Sequence, residues 1–267
     1  MTDTTAQSAA QSAVLLERLP GHIALVTLNR PAARNAINGE VASRLEAIVD
    51  EIEADPDLWV AVLTGAGRDA FSAGADLKEV SAGRGASLGT ERGGLGGFVF
   101  RERSKPWIAA VNGKALAGGC GLMLACDLAV ASEDAAFGLP EVLRGLIASA
   151  GGLYRLPQAM PPRIALELIL TAAQLPAREA KAYGLVNHVV PADQVIDEAL
   201  ALARRITRNA PVAVRESLAI VKRANDLGET ELRALSRQGA QRVQATEDFK
   251  EGPRAFIEKR EPRWTGR

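Results

Sequence analysis

The stretch Ile108 to Ala131, IAAVNGKALAGGCGLMLACDLAVA, decides the fold. Ile108 to Val111 is a short apolar run closed by Asn112-Gly113, which reads as a buried strand. Small residues fill the turn that follows. The segment from about Gly119 to Ala125 then reads as an apolar helix, and Leu128 to Ala131 as a returning strand. Strand, glycine turn, helix and strand in that order make a parallel crossover, because parallel neighbours cannot be joined by a tight hairpin.

Toward the N-terminus the alternation persists. Val14 to Glu17 and His22 to Leu28 read as two strands around a Pro20-Gly21 turn. Asn38 to Glu53 places Val41, Leu45, Ile48, Val49 and Ile52 at helical spacing, with Asn38 as the cap. Val60 to Leu63 is a strand ending in Thr64-Gly65-Ala66-Gly67. Beyond Leu153 helices dominate: Arg163 to Leu170, Ala177 to Tyr183, Gln194 to Ile206, Val212 to Ala224, Glu229 to Val243 and Phe249 to Lys259, with only Val186 to Val190 as a strand. The expected architecture is an α/β core over residues 13–200 with a helical C-terminal part over 201–267. Residues 1–12 are small and polar, and read as a disordered tail. Ser81 to Gly97, rich in glycine and small residues, is expected to be a mobile loop or a poorly ordered helix.

Composition narrows the function. The 32 basic and 32 acidic side chains cancel, which argues against a general nucleic-acid binder because phosphates demand a basic field. No uncharged apolar run reaches the ~18 residues of a membrane span. The N-terminus lacks the basic and apolar regions of a signal peptide, and the two cysteines, Cys120 and Cys126, sit in an apolar stretch with no ligand cluster around them. A reduced, cytoplasmic setting without metal is the expectation. His22 and His188 each lie in or beside a strand and read as structural. No Gly-x-Ser-x-Gly elbow, HExxH or Walker pattern is present.

Three loops of small residues remain: Phe71-Ser72-Ala73-Gly74-Ala75-Asp76-Leu77-Lys78, Asn112 to Gly121, and Phe137-Gly138-Leu139-Pro140-Glu141. Small residues where a strand turns into a helix let a ligand approach backbone N–H groups, and the helix start favours negative charge. Two such turns can aim two donors at one oxygen, an oxyanion hole.

Taken with Asn29 to Ala36, Cys126-Asp127, Gly151 to Leu156, Ala180 to Val186 and Glu251 to Arg260, these loops resemble the enoyl-CoA hydratase/isomerase (crotonase) family from about Val14 to Arg263. The resemblance implies a crotonase-like spiral of ββα units and a homotrimer or dimer of trimers, with the helical part at 201–267 as the trimerisation region. It implies no permanently bound cofactor, with coenzyme A entering as part of an acyl-CoA substrate. The amides of Ala75 and Gly118 become the oxyanion donors and Glu141 the acid/base. The loop residues Ala33, Ala73, Ala75, Asp76, Leu77 and Gly118 become contacts to the CoA ester, with Arg30, Arg34, Lys78 and Lys259 facing its phosphates.

The chain departs from the hydratase pattern at one position. Hydrating members carry a second glutamate on the helix after the glycine turn, where this chain has Gly121. Glycine cannot accept a proton, and Asp127, nearly two turns on, is expected to face elsewhere. A lone carboxylate beside an oxyanion hole suits movement of a double bond from the 3,4 to the 2,3 position, one base carrying the proton. Hydration would need another acid, with Glu91 from the Ser81–Gly97 loop as the candidate. A third reading is a non-catalytic acyl-CoA binding protein. Phe71, Phe98, Phe100, Leu116 and Leu143 are the expected pocket walls.

Overall fold

The computed structural model describes residues 12–267, so the expected tail lies outside the described residues except for Ser12. The chain runs through β1 (Val14–Leu19), β2 (Ile23–Leu28), α1 (Gly39–Ala54), β3 (Val60–Gly65), β4 (Ala70–Ser72), α2 (Leu77–Ser81), β5 (Gly89–Thr90), β6 (Gly94–Leu95), β7 (Trp107–Val111), β8 (Lys114–Leu116), α3 (Gly118–Ala125), β9 (Leu128–Ser132) and β10 (Ala136–Gly138). After a 3₁₀ turn at Pro140–Arg144 come α4 (Gly152–Ala159), α5 (Pro162–Thr171), β11 (Leu175–Pro176), α6 (Ala177–Ala182) and β12 (His188–Val190). Four helices finish the chain: α7 (Val195–Thr207), α8 (Pro211–Val221), α9 (Glu229–Gln244) and α10 (Glu247–Glu258).

Two sheets carry the architecture. The larger has the order β1-β2-β3-β7-β9-β12, antiparallel only at β1/β2 and parallel from there on. Its central strands are apolar on both faces, as a sheet covered on both sides requires. On one face Ala61, Leu63, Ala109, Val111, Ala129 and Ala131 pack against Leu45, Ile48 and Ile52 of α1. On the other Val60, Val62, Ile108, Ala110 and Val130 pack against Val195, Ala199, Leu202 and Ala203 of α7. The helix that runs across position 200 is therefore part of the layered body. Each fully buried aliphatic side chain contributes on the order of 1.5–3 kcal/mol relative to exposure. Asn38 caps α1 by accepting from the Val41 amide at 3.0 Å. At the other end of α1, buried Lys105 donates to the Ile52 and Asp55 carbonyls, which satisfies acceptors that the helix leaves open.

The smaller sheet, β11-β10-β8-β4, decides where the chemistry sits. Three times in succession a strand of the large sheet turns into a short strand of the small one: β3 into β4, β7 into β8, β9 into β10. Strands β4, β8 and β10 lie side by side in parallel. Whatever follows them is thereby brought to one edge. The loop Ala73–Asp76 follows β4, Gly118 follows β8 and Glu141 follows β10.

Most sequence-derived elements occur within two or three residues of their expected bounds. Strand Val186–Val190 shortens to His188–Val190, and α4 was not anticipated. The Ser81–Gly97 segment is neither a helix nor an unstructured loop. It holds a 3₁₀ turn at Gly85–Leu88 and the hairpin β5/β6, tied to α1 by Thr90 donating to Glu46 at 2.6 Å and by Arg92 to Asp50 at 2.7 Å.

Candidate active site

Two turns meet tightly at the small sheet's edge. A Cβ on Gly74 would fall 2.6 Å from the Gly118 amide nitrogen, and one on Gly118 would fall 3.5 Å from the Ala75 nitrogen. Gly74 also has φ +83°, so glycine is required twice over. Ile37 bridges the first turn: its amide donates to the Gly74 carbonyl at 2.8 Å, and its carbonyl accepts from Asp76 at 2.9 Å. In a parallel bridge that pattern leaves the Ala75 N–H pointing away from Ile37, and it has no acceptor among the described residues. The Gly118 N–H is likewise open, as the first residue of α3. Ala117 presents it from a strained backbone, φ 51° and ψ −127°, held by its own amide donating to Gly138 at 2.9 Å.

Glu141 lies in the 3₁₀ turn that follows β10. Its carbonyl accepts from Leu146 at 3.1 Å, so the turn folds around it. Its Oε2 is buried and has no hydrogen-bond partner. Burial raises its pKa above the ordinary glutamate value, because the charged form has lost water without gaining a cation. A protonatable group in that state is suited to receiving and returning a proton.

A cleft of about 880 Å³ contains both turns and Glu141. Of the residues singled out from sequence, Arg30, Ala33, Arg34, Ala73, Ala75, Asp76, Leu77, Lys78, Gly118 and Glu141 line it. Lys259 does not: it caps α10 with φ 53° and is exposed to solvent. Asp76 and Arg30 are committed to each other at 3.0 Å, and Arg30 also donates to the Ala36 carbonyl. Burial works to raise the Asp76 carboxyl, but the Arg30 guanidinium and the Lys78 amide outweigh it and hold it below its usual range. Arg34 and Lys78 are exposed at the rim, with no carboxylate partner among the described residues.

The expected walls need correction. Phe71 and Phe98 are fully buried core residues; Phe98 packs edge-on against Trp107 at 4.9 Å and carries the Arg103 guanidinium on its face at 3.9 Å. Leu143 points to solvent, 69% exposed, outside the cleft. Leu116 and Phe100 do line it, together with Leu95, Leu146, Ile147 and Arg144, which sequence reasoning missed. Glu91 is exposed and absent from the lining. Neither histidine reaches the cleft: His22 stacks on Trp59 at 3.7 Å, and His188 pairs with Glu198 at 3.1 Å. Asn35 was quoted only as part of a motif, yet it is the hub of the entry loop. Its side chain accepts from the Arg30 amide and donates to the Ala66 and Ala70 carbonyls.

Gly121 sits under the loop that follows Glu141. A Cβ there would fall 2.9 Å from the Ala150 carbonyl oxygen and 3.1 Å from its Cβ. Asp127 is turned away, receiving the Trp107 amide at 2.8 Å and the Lys222 ammonium at 2.8 Å. Glu141 and Asp76 are the only carboxylates in the lining among the described residues, and Asp76 is neutralised by Arg30.

The sequence profile described as enoyl-CoA hydratase/isomerase matches residues 18–267. The chain belongs to that family. A mevalonyl-coenzyme A hydratase of Aspergillus fumigatus is 41% identical over 247 residues, 91% of each chain. A carnitinyl-CoA dehydratase of Proteus mirabilis is 38% identical, covering 92% of this chain and 96% of its own. The solved enoyl-CoA hydratase of Mycobacterium tuberculosis superposes with a TM-score of 0.92 at 44% identity, over 96% of this chain and all of that one. The protein is thus an enoyl-CoA hydratase/isomerase family enzyme with the crotonase fold. Among the described residues no helix is long and apolar enough to cross a membrane, and no cluster of three or more possible metal ligands occurs.

Proposed function

We propose that this enzyme binds an enoyl-CoA thioester with its carbonyl oxygen on the Ala75 and Gly118 amides, and that Glu141 moves one proton between the α- and γ-carbons. The observation that carries this reading is Glu141 standing alone: half-buried, with Oε2 unpartnered among the described residues and its pKa raised, while Gly121 stands where the resembled hydratases carry a second glutamate. Glu141 takes the α-proton from a 3-enoyl-CoA, the electron pair moves onto the thioester oxygen, and the two N–H groups stabilise that charge. The same acid then protonates the γ-carbon as the enolate collapses, leaving the 2-enoyl-CoA. Arg34 and Lys78 meet the CoA phosphates, while Arg30 acts chiefly by fixing Asp76 and the turn.

Hydration or dehydration is the second reading, favoured by the names of the relatives. It needs water activated without a carboxylate at position 121. Purified protein offered 3-enoyl-CoA and 2-enoyl-CoA separates the two. A mass-neutral product lost in Glu141→Gln supports the isomerase; a product heavier by one water supports the hydratase.

We also propose a homotrimer built through the helical region. Val221, Phe256 and Ile257 are 70%, 85% and 79% exposed on α8 and α10, which a lone chain would leave in water. Lys259 then reaches a phosphate across that interface. Light scattering on Phe256→Asp tests it: loss of the trimer is expected, and an unchanged mass would contradict it.

A further inference from the structure

The acyl end of the cleft has a chemistry that separates this chain from its relatives named for carnitinyl-CoA. Because Leu95 abuts Gly118 (a Cβ there would fall 2.3 Å from Leu95 Cδ2), an acyl chain leaving the two amides passes Leu95 first. On the other side the Glu141 turn runs into Leu146 and Ile147. Phe100 completes the wall; its ring rests on Gly94, where a Cβ would fall 2.3 Å from the ring. Nothing at this end is suited to a cation. Glu141 is occupied by the reaction, Asp76 is paired with Arg30, and among the described residues Phe100 is the only aromatic ring in the lining. A quaternary ammonium is recognised by a carboxylate or by aromatic faces. Here the one ring already has the Arg155 guanidinium 5.8 Å from its centroid. A second positive charge would meet like charge.

The Arg155 position is fixed. It donates to the Val99 carbonyl at 2.7 Å, Arg103 donates to the Phe98 carbonyl at 2.7 Å, and Arg101 pairs with Asp50 of α1. Three arginines thus brace residues 98–101 from three sides, so the wall cannot easily turn a different face to the ligand. Resting on the placement of the thioester argued above, we infer that the acyl site takes an uncharged, apolar acyl chain and rejects a chain ending in a quaternary ammonium, with Phe100 and Arg155 as the determinants. This sets it apart from a site suited to a carnitinyl group, although a carnitinyl-CoA dehydratase is 38% identical.

A matched pair of ligands tests this by binding alone. One is trimethylammonio-butanoyl-CoA and the other its all-carbon isostere, in which the quaternary nitrogen is replaced by carbon; free coenzyme A is the reference. Calorimetric titration of the whole protein is expected to show the isostere at least about tenfold tighter than the ammonium ester. The gap should narrow at high salt, where the like-charge penalty is screened. Phe100→Ala should weaken the isostere while leaving coenzyme A unchanged, and Arg155→Met should strengthen the ammonium ester. Equal or tighter binding of the ammonium ester would overturn the inference, as would an isostere binding no better than coenzyme A. The salt series needs no variant, so the inference stays testable if Arg155→Met does not fold. Both ligands are saturated, so absence of double-bond shift in the separate assay would count against the proposed reaction and not against this preference.

Discussion

The two glycine turns and the Leu95–Phe100 wall bound the same cleft but are built on different principles. The turns are backbone. Their functional atoms are the amides of Ala75 and Gly118, and a Cβ on Gly74 or Gly118 would collide with its neighbours. The wall is side chain throughout, carried on a hairpin of two-residue strands and a strap, held by Arg92 on Asp50 of α1, by Arg155 of α4 and by Arg103 of the strap itself. The first region admits almost no substitution and decides which atom is stabilised. The second can be remodelled and decides which acyl group arrives. Reaction and specificity are therefore expected to be separable by mutation.

The largest effect should come from the one side chain the turns serve. Glu141→Gln is expected to lower kcat by about 10²–10⁴ with the fold intact, checked by steady-state kinetics beside thermal unfolding. Gly74→Ala comes next. Its Cβ would press on the Gly118 nitrogen from a backbone at φ +83°, and turnover should fall about 10²–10³ while coenzyme A still binds. If kcat survived, the backbone account of the turns would be wrong.

The pH dependence of Glu141 sharpens the contrast, because nothing in the wall titrates near it. With its pKa raised, the folded state binds the proton more tightly than the unfolded chain, so stability falls as pH rises through the window above the ordinary glutamate value. Glu141→Gln should therefore be the more stable protein at neutral pH, and the difference should vanish once pH drops below the unfolded value. The base must also be ionised to act, so kcat should climb with pH through that same window. Denaturant unfolding and rate profiles across pH check the two halves.

The smallest effect is expected from loosening the wall's mounting. Asp50→Asn removes the carboxylate shared by Arg92 and Arg101, with Glu46 left to Arg92; the Arg92 pair is exposed and worth about 0–1 kcal/mol. KM for a long acyl-CoA should change a few-fold with kcat nearly constant. A loss of kcat equal to that of Gly74→Ala would show that wall and turns are one unit.

The difference between the regions also explains what the sequence made legible. Local rules sufficed for α1, with its Asn38 cap and six buried apolar positions, five of them read from spacing, and for the alternation of strands and helices. They sufficed for the turns, because Gly74 and Gly118 are demanded by contacts that leave a mark on residue type. They failed for β4, β8 and β10, three residues each, which exist only because neighbouring repeats supply their partners. They failed for the wall as well. Phe71 and Phe98 look as suitable as Phe100, and only the packing against Trp107 and Arg103 shows that Phe98 belongs to the core. The contacts that tie the Ser81–Gly97 hairpin to α1, a hydrogen bond from Thr90 to Glu46 and an ion pair of Arg92 with Asp50, join residues about 40 positions apart and carry no local signature.

The most direct test of a single proton carrier is a labelled turnover. A 3-enoyl-CoA carrying deuterium at the α-carbon is converted by the wild-type protein and by Glu141→Gln, and the label in the product is located by mass spectrometry. With one carrier, the product is 2-enoyl-CoA with part of the deuterium delivered to the γ-carbon, and the variant gives no conversion. Conversion at an undiminished rate by Glu141→Gln, or a hydrated product with no label at the γ-carbon, would contradict a single carrier.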